Sequence, residues 1–162
     1  MAGYPLQSLL AVRYFREDGA KNAARAADRR VVEARQELEA RQRELARYRQ
    51  WRPQEEERGY AAILGTVMRP DALAEFRAWL ATLAEGEQQR LAAVSEAEDV
   101  LAGREREAAA GRQAVAAARK EAAKIEAHRD LWLIREKKET ERREDLELEE
   151  FAAPPGQGEE GI

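Results

Sequence analysis

Apolar and small residues recur at alternating intervals of four and three along most of this 162-residue chain. This spacing keeps one stripe of side chains on a single helix face, which is the pattern of a coiled-coil seam. The first seam comprises Leu6, Leu10, Arg13, Glu17, Ala20, Ala24, Ala27, Val31, Ala34, Leu38, Arg41, Leu45 and Tyr48. The second comprises Leu73, Phe76, Leu80, Leu83, Val94, Ala97, Leu101, Ala108, Val115, Ala118, Ala122, Ile125 and Trp132. The sequence therefore predicts two long helices that pack through these seams.

The segment GTVMRPD, residues 65–71, is predicted to be the turn between the two helices. Gly65 can end the first helix, Pro70 suits the first turn of the second, and Asp71 can cap or charge that turn. Two helices joined this closely must run antiparallel. A turn centred near residue 68 or 69 places positions whose numbers total about 137 opposite each other.

This register makes two predictions about the ends of the hairpin. At the end far from the turn, which we call the open end, the facing residues are Leu6, Leu9 and Leu10 against Leu131, Trp132 and Leu133. At the turn, or tip, they are Tyr60, Ile63 and Leu64 against Leu73, Phe76 and Trp79. Because alanine dominates the seam between these ends, we expect little apolar burial there.

The predicted fold is all-α, a long antiparallel two-helix coiled-coil hairpin over residues 1–151. Helix 1 covers about residues 4–66 and helix 2 about residues 71–150. The last stretch, residues 152–162, contains two prolines and three glycines and is predicted to be a disordered tail.

Pro53 lies inside the first helix, next to the bulky Trp51. Proline in a helix interior costs about 3 kcal/mol because it lacks an N–H and clashes with the preceding turn. The first helix is therefore predicted to kink or pause near Pro53. Gly86 faces this point in the predicted register, so Trp51 or the kinked backbone is expected to pack against it. Trp51 could equally serve as an anchor for a partner protein.

Composition excludes several classes of function. Charged residues make up 37% of the chain, mean hydropathy is -0.75 and cysteine is absent, which leaves little material for an enclosed core or a thiol chemistry. The only histidine, His128, has no metal partner or relay at helical spacing. We expect no enzyme, no cofactor and no metal.

No apolar run reaches the roughly 20 residues of a membrane span, and no signal peptide is recognised.

The charges are distributed unevenly. Residues 1–52 and 101–134 are net basic, whereas residues 53–100 are net acidic. A basic surface could dock on an acidic lining, or it could simply be a solvated coiled-coil surface, and the sequence leaves both open. Nucleic-acid binding is not expected, because glutamates match the arginines and aromatic residues do not interleave with them on an exposed face.

Four stretches carry a family resemblance. They are YPLQSLLAVRYFREDGA near the start, YRQWRPQEEERGY around Trp51, DALAEFRAWLATLAEGEQ at the start of the second helix and REKKETERRED near its end. Together they resemble the YscO-type proteins of type III secretion systems, which are relatives of flagellar FliJ. The resemblance covers roughly residues 4–151. Its most specific part is Trp51 and Arg52 followed by Glu55 and Glu56. Pro53 and Gly59 depart from the helix-compatible residues expected of the family.

The resemblance implies a central stalk and regulator of the hexameric export ATPase, which also meets the export gate protein and binds translocator chaperones. It also implies a place at the base of the secretion apparatus. The sequence itself predicts a soluble cytoplasmic protein whose folded-back hairpin is a monomer. The residues expected to contact the ATPase lie at the open end and are Leu9, Arg13, Arg16, Glu17, Trp132, Arg135 and Glu136. The residues expected to bind a chaperone are Trp51, Arg52, Glu55 and Glu56. The alternative is a structural coiled-coil scaffold that self-associates.

Overall fold

Two α-helices account for almost all of the computed structural model, which describes residues 3–153. Helix α1 spans Gln7–Ile63 and helix α2 spans Pro70–Ala152. Both are rich in alanine, arginine, glutamate and leucine, the residues that lose least on entering a helix. The fold is all-α and antiparallel. The chain packs as two units, one formed by residues 3–20 and 114–153 and the other by residues 21–113.

The turn between the helices follows the predicted chemistry. Gly65 adopts φ of 80°, a left-handed conformation that ends α1 at low steric cost because glycine has no Cβ. The Thr66 hydroxyl donates to the Ile63 carbonyl over 2.7 Å, which satisfies one of the carbonyls left free at the helix end. Pro70 is the first residue of α2, and Asp71 lies in its first turn. The prediction for these positions is confirmed.

The buried apolar residues all belong to the predicted seams. Among the described residues there are ten, and six of them are alanines. Within residues 3–153, Leu10 is the single large side chain that is completely buried. The set is Leu10, Ala24, Ala27, Ala34, Leu45, Leu83, Val94, Ala97, Ala108 and Ala122. Since alanine buries far less area than leucine, close approach of the helices contributes more here than interlocking side chains.

Contacts within each unit agree with the predicted register. In the unit of residues 21–113, Tyr60 meets Phe76 edge to face at 5.1 Å between ring centroids. A Cβ built on Gly111 would lie 3.3 Å from the Ala24 Cα, so the two backbones approach closely there. In the other unit, Tyr4 meets Trp132 at 5.5 Å.

Three details of the register were predicted wrongly. Leu131 and Leu133 are at least half exposed, because they flank Trp132 on either side of the seam, so they are not buried against the leucines of α1. Leu64 is 76% exposed and does not close the tip. Gly86 faces the ring of Tyr48, one turn before the position expected for Trp51.

Helix α1 does not pause at Pro53, which lies inside an unbroken helical stretch. A kink at Pro53 stays a prediction, as does the disorder of residues 152–162. Ala152 is the last residue of α2, and the predicted tail from Pro154 onward lies outside the described residues. Neither helix in the described part of the chain has an apolar stretch long enough to span a membrane.

Candidate partner-binding surfaces

An aromatic contact joins the start of the described chain to α2 at the open end. The Tyr4 hydroxyl is 2.6 Å from Nδ1 of His128, and the Tyr4 ring packs against Trp132. Beside this contact a groove of about 730 Å3 runs along α2. It is lined by Gly3, Tyr4, Gln7, Arg129, Trp132, Leu133, Glu136, Lys137, Thr140, Glu141 and Glu144. The groove therefore has an aromatic floor and charged walls.

Polar contacts lie beside the seam at the open end, and Arg13 lies on it. Tyr14 donates a hydrogen bond to the Glu126 carboxylate, and that bond, with burial and the carboxylate charge, raises the pKa of the Tyr14 phenol. Lys124 donates to Glu121 over 2.9 Å, which together with the charge of Lys124 lowers the pKa of the Glu121 carboxyl. Nε of Arg13 is buried and has no hydrogen-bond partner within residues 3–153. Arg13 is therefore a seam position at which a buried polar atom lacks a hydrogen bond.

The residues predicted to contact the ATPase do not form one cluster. Trp132 and Glu136 line the groove, whereas Leu9, Arg13 and Glu17 are half-buried along the seam. Arg16 and Arg135 are exposed. Leu9 and Arg13 are thus partly buried, whereas the groove and the outer faces are open to a partner.

The sequence analysis did not identify two exposed apolar pairs at the open end, and it expected one of their members, Leu131, to face α1. Phe15 is 79% exposed and lies one turn from Val12, which is also exposed. Leu131 and Ile134 are both more than half exposed and also lie one turn apart. Such i, i+3 pairs share one helix face. The missed signal was apolar residues outside the heptad positions, which a search for the seam passes over.

The second predicted surface centres on Trp51, which is 45% exposed. Its ring packs against Tyr48 at 5.4 Å between centroids. Tyr48 is itself fixed, because its hydroxyl donates to the Leu83 carbonyl over 2.6 Å and the Arg90 guanidinium lies 4.1 Å from its ring centroid. Trp51 therefore stands on a fixed aromatic support and is open to a partner.

The other residues of this predicted surface are engaged within the chain. Arg52 donates to Glu56 over 2.8 Å and also pairs with Glu87 of α2 at 3.5 Å. The hydrogen bond to Glu56 raises the pKa of the Arg52 guanidinium. Glu55 pairs with Arg58 at 3.5 Å. Arg52 thus ties α1 to α2 through Glu87, Glu56 holds the Arg52 side chain within α1, and Trp51 is the member of the set that has a large exposed surface.

No group of three or more histidine, aspartate or glutamate side chains is arranged to hold a metal ion in the part of the chain that the structure describes. Both candidate surfaces are open to solvent, and both combine aromatic and charged side chains. Such surfaces suit the binding of another protein.

Comparison with known proteins assigns the chain to a family. Residues 6–154 match the family model described as type III secretion protein YscO. A crystal structure of YscO from Vibrio parahaemolyticus superposes with a TM-score of 0.84 at 27% identity, covering 90% of this chain and 92% of that one. The YscO homologue CT670 from Chlamydia trachomatis superposes with a TM-score of 0.75 at 22% identity, covering 94% and 93%, and this likeness concerns the fold alone. No curated protein sequence matches. The chain belongs to the YscO family of type III secretion proteins.

Proposed function

We propose that this protein is a non-enzymatic central stalk that regulates the export ATPase of a type III secretion apparatus and also binds translocator chaperones. Family membership supports a role in type III secretion. In this proposal the chain acts as a monomer in the cytoplasm at the base of the apparatus, where its open end enters the ring of the hexameric ATPase and couples it to the export gate protein.

The observation that carries the proposal is the placement of the exposed apolar pairs at the open end. Phe15 is two residues from Arg13 and two from Glu17, so it lies about 200° round α1 from the seam. Ile134 is two residues from Trp132, so it likewise lies about 200° round α2 from the seam. The two helices therefore expose apolar side chains on opposite outer faces. A partner that surrounds the hairpin can cover both faces, whereas a flat partner can cover one.

The ATPase part of the proposal is tested with the purified chain and the cognate export ATPase. We expect the chain to co-purify with the hexamer and to raise its turnover of ATP. The double variant Phe15→Asp/Ile134→Asp is expected to bind the ATPase at least about tenfold more weakly, because each substitution would bury a charge in an apolar interface. Val100→Asp is the matched control, since Val100 is 47% exposed and lies elsewhere on α2. Absence of both binding and stimulation by the wild type would refute the stalk role.

The chaperone part of the proposal rests on Trp51 with Arg52, Glu55 and Glu56 around it. A pulldown of translocator chaperones by the wild-type chain and by Trp51→Ala tests it. We expect the substitution to weaken capture of the chaperones without reducing ATPase stimulation.

Light scattering separates the stalk from a self-associating scaffold, because a monomer has a mass of 18.3 kDa and a dimer twice that.

A further inference from the structure

A shallow cleft adjoins Trp51 and has an uncompensated positive charge. The cleft has a volume of about 370 Å3 and is lined by Glu44, Arg47, Tyr48, Trp51 and Arg90. Tyr48 and Trp51 form its aromatic floor. Because Tyr48 is held by Leu83 and Arg90, the floor is fixed before any partner arrives, which lowers the entropy cost of binding.

The charges round the cleft do not balance. Glu44 is engaged by Arg41 at 3.4 Å and by Arg90 at 3.8 Å, so its carboxylate is already neutralised. Arg47 makes no hydrogen bond or ion pair with any residue from 3 to 153, and neither does Arg43 one turn before it. Both side chains are exposed. The cleft therefore presents the free guanidinium group of Arg47 beside an aromatic platform, and the free guanidinium group of Arg43 lies one turn before it on α1.

Arg43, Arg47 and Trp51 follow one another at intervals of four residues, so they form one stripe along a face of α1. Guanidinium groups bind carboxylates with two parallel hydrogen bonds, and exposed tryptophan on a fixed support is a frequent anchor of protein interfaces. We propose that this stripe binds an acidic segment of a partner protein, in which an apolar side chain seats on Trp51 and carboxylates pair with Arg43 and Arg47.

This inference deepens the proposed chaperone surface and rests on that proposal for the biological context of the partner. It adds the chemistry of the segment that binds. It also moves the charged contacts from Arg52, Glu55 and Glu56, which are engaged within the chain, to Arg43 and Arg47. Arg25 and Arg29 have the same spacing on the same helix, but neither lines a cleft with an exposed aromatic ring. They provide a matched control.

The test measures fluorescence anisotropy of labelled synthetic peptides with the full-length chain. Three 15-residue helical peptides share one central leucine and differ only in flanking residues, which are glutamate, glutamine or lysine. We expect the glutamate peptide to bind at least about tenfold more tightly than the glutamine peptide, with an affinity that falls as salt rises. Arg43→Glu/Arg47→Glu should abolish this preference and favour the lysine peptide. Arg25→Glu/Arg29→Glu should change nothing.

Trp51→Ala should weaken binding of the glutamate peptide. A smaller, purely electrostatic preference for the glutamate peptide over the glutamine peptide should remain. Equal binding of all three peptides, no binding of the glutamate peptide, or an equal loss in both arginine double variants would overturn the inference. Dimerisation that Arg43→Glu/Arg47→Glu removes would assign the stripe to a second copy and would also overturn it. Circular dichroism of each variant confirms that the helices are intact.

The same variants separate this inference from the proposed function. If Trp51→Ala loses chaperone capture while Arg43→Glu/Arg47→Glu retains it, the acidic-segment inference fails and the chaperone surface stands. If the glutamate peptide binds as expected but the ATPase is neither bound nor stimulated, the stalk role fails alone.

Discussion

Tyr48 lies directly against Gly86, with its ring in the space that any other residue would need for a Cβ. Its hydroxyl donates to the Leu83 carbonyl, one turn before Gly86 on α2. This close approach favours glycine at position 86, since the helix itself places no special demand on φ there. The pair joins α1 to α2 next to the Trp51 surface.

Gly86→Ala is expected to destabilise the protein by about 1 kcal/mol. Alanine favours a helix by about 1 kcal/mol over glycine, but overpacking against a held ring costs about 1–3 kcal/mol. The Tyr48 ring has little freedom to yield because Trp51 and Arg90 pack on it. Urea unfolding at constant pH measures the change. Gly103→Ala is the control and should stabilise, because only the end of the Arg106 side chain approaches Gly103.

A double-mutant cycle tests whether the cost arises from Tyr48. Tyr48→Phe removes the hydroxyl that collides with the new Cβ, at the expense of the hydrogen bond to Leu83, which contributes about 0.5–1.5 kcal/mol. Gly86→Ala should therefore cost less in the Tyr48→Phe background than in the wild type. Equal costs in both backgrounds would show that the two residues are not coupled.

Gly59→Ala is expected to disrupt the aromatic cluster at the tip. A Cβ at Gly59 would collide with the Trp79 ring and lie 3.3 Å from Phe76. Both rings are large and packed on each other, so we expect a net loss of about 1–2 kcal/mol after the helix propensity gained by alanine. Chemical denaturation gives the loss, and a shift in tryptophan emission would report the displaced ring. A gain in stability equal to that of Gly103→Ala would contradict this packing.

Pro53→Ala is expected to stabilise the protein by about 1–3 kcal/mol. Pro53 is exposed inside α1 and donates no backbone hydrogen bond, so alanine restores the missing N–H and removes the ring clash without any loss of packing. Thermal and urea unfolding measure the gain. Gln54→Ala, at the exposed neighbouring position, should change stability by less than about 0.5 kcal/mol. An equal effect at both sites would exclude a specific cost of proline.

The fold could be predicted because one repeated spacing specifies both the local helix and the face that it buries. Every buried apolar residue in residues 3–153 falls on a predicted seam position, as Leu10 and Leu83 illustrate. The turn was predictable because Gly65 and Pro70 have narrow backbone preferences. Once the turn was placed, antiparallel pairing determined which residues face each other.

The candidate surfaces were less predictable because they depend on which charges find partners. Arg47 and Arg52 are both arginines of α1 within one or two turns of Trp51. Arg52 nevertheless pairs with Glu87 across the seam, whereas Arg47 makes no such contact. The choice between Tyr48 and Trp51 as the neighbour of Gly86 depends on a displacement of less than one helical turn. A register estimated from sequence does not resolve a difference of that size.

Acid is expected to loosen the part of α2 that contains Glu139. Arg142 donates two hydrogen bonds to this carboxylate, at 2.8 and 3.2 Å, and Arg143 lies 3.6 Å away. The hydrogen bonds from Arg142 lower the pKa of the Glu139 carboxyl, with the charges of Arg142 and Arg143 acting in the same direction. Because folding lowers the pKa of this carboxyl, its charged form stabilises the helix. The stabilisation is complete at pH values above the unfolded pKa of about 4.3. That contribution is lost as the pH falls through the lower, folded value.

Glu139→Gln isolates this effect from the acidic residues that follow in α2. Glutamine cannot titrate, so the variant should lack the part of the acid response that belongs to Glu139. Backbone 13Cα shifts of residues 136–143, followed from pH 6 to pH 2, measure local helicity in both proteins. We expect the wild type to be more helical than the variant at pH 6 and the two to converge below about pH 4, with the difference reduced by salt because the pairs are exposed. A constant difference across this range would mean that the ion pairs with Arg142 and Arg143 do not hold this turn of the helix.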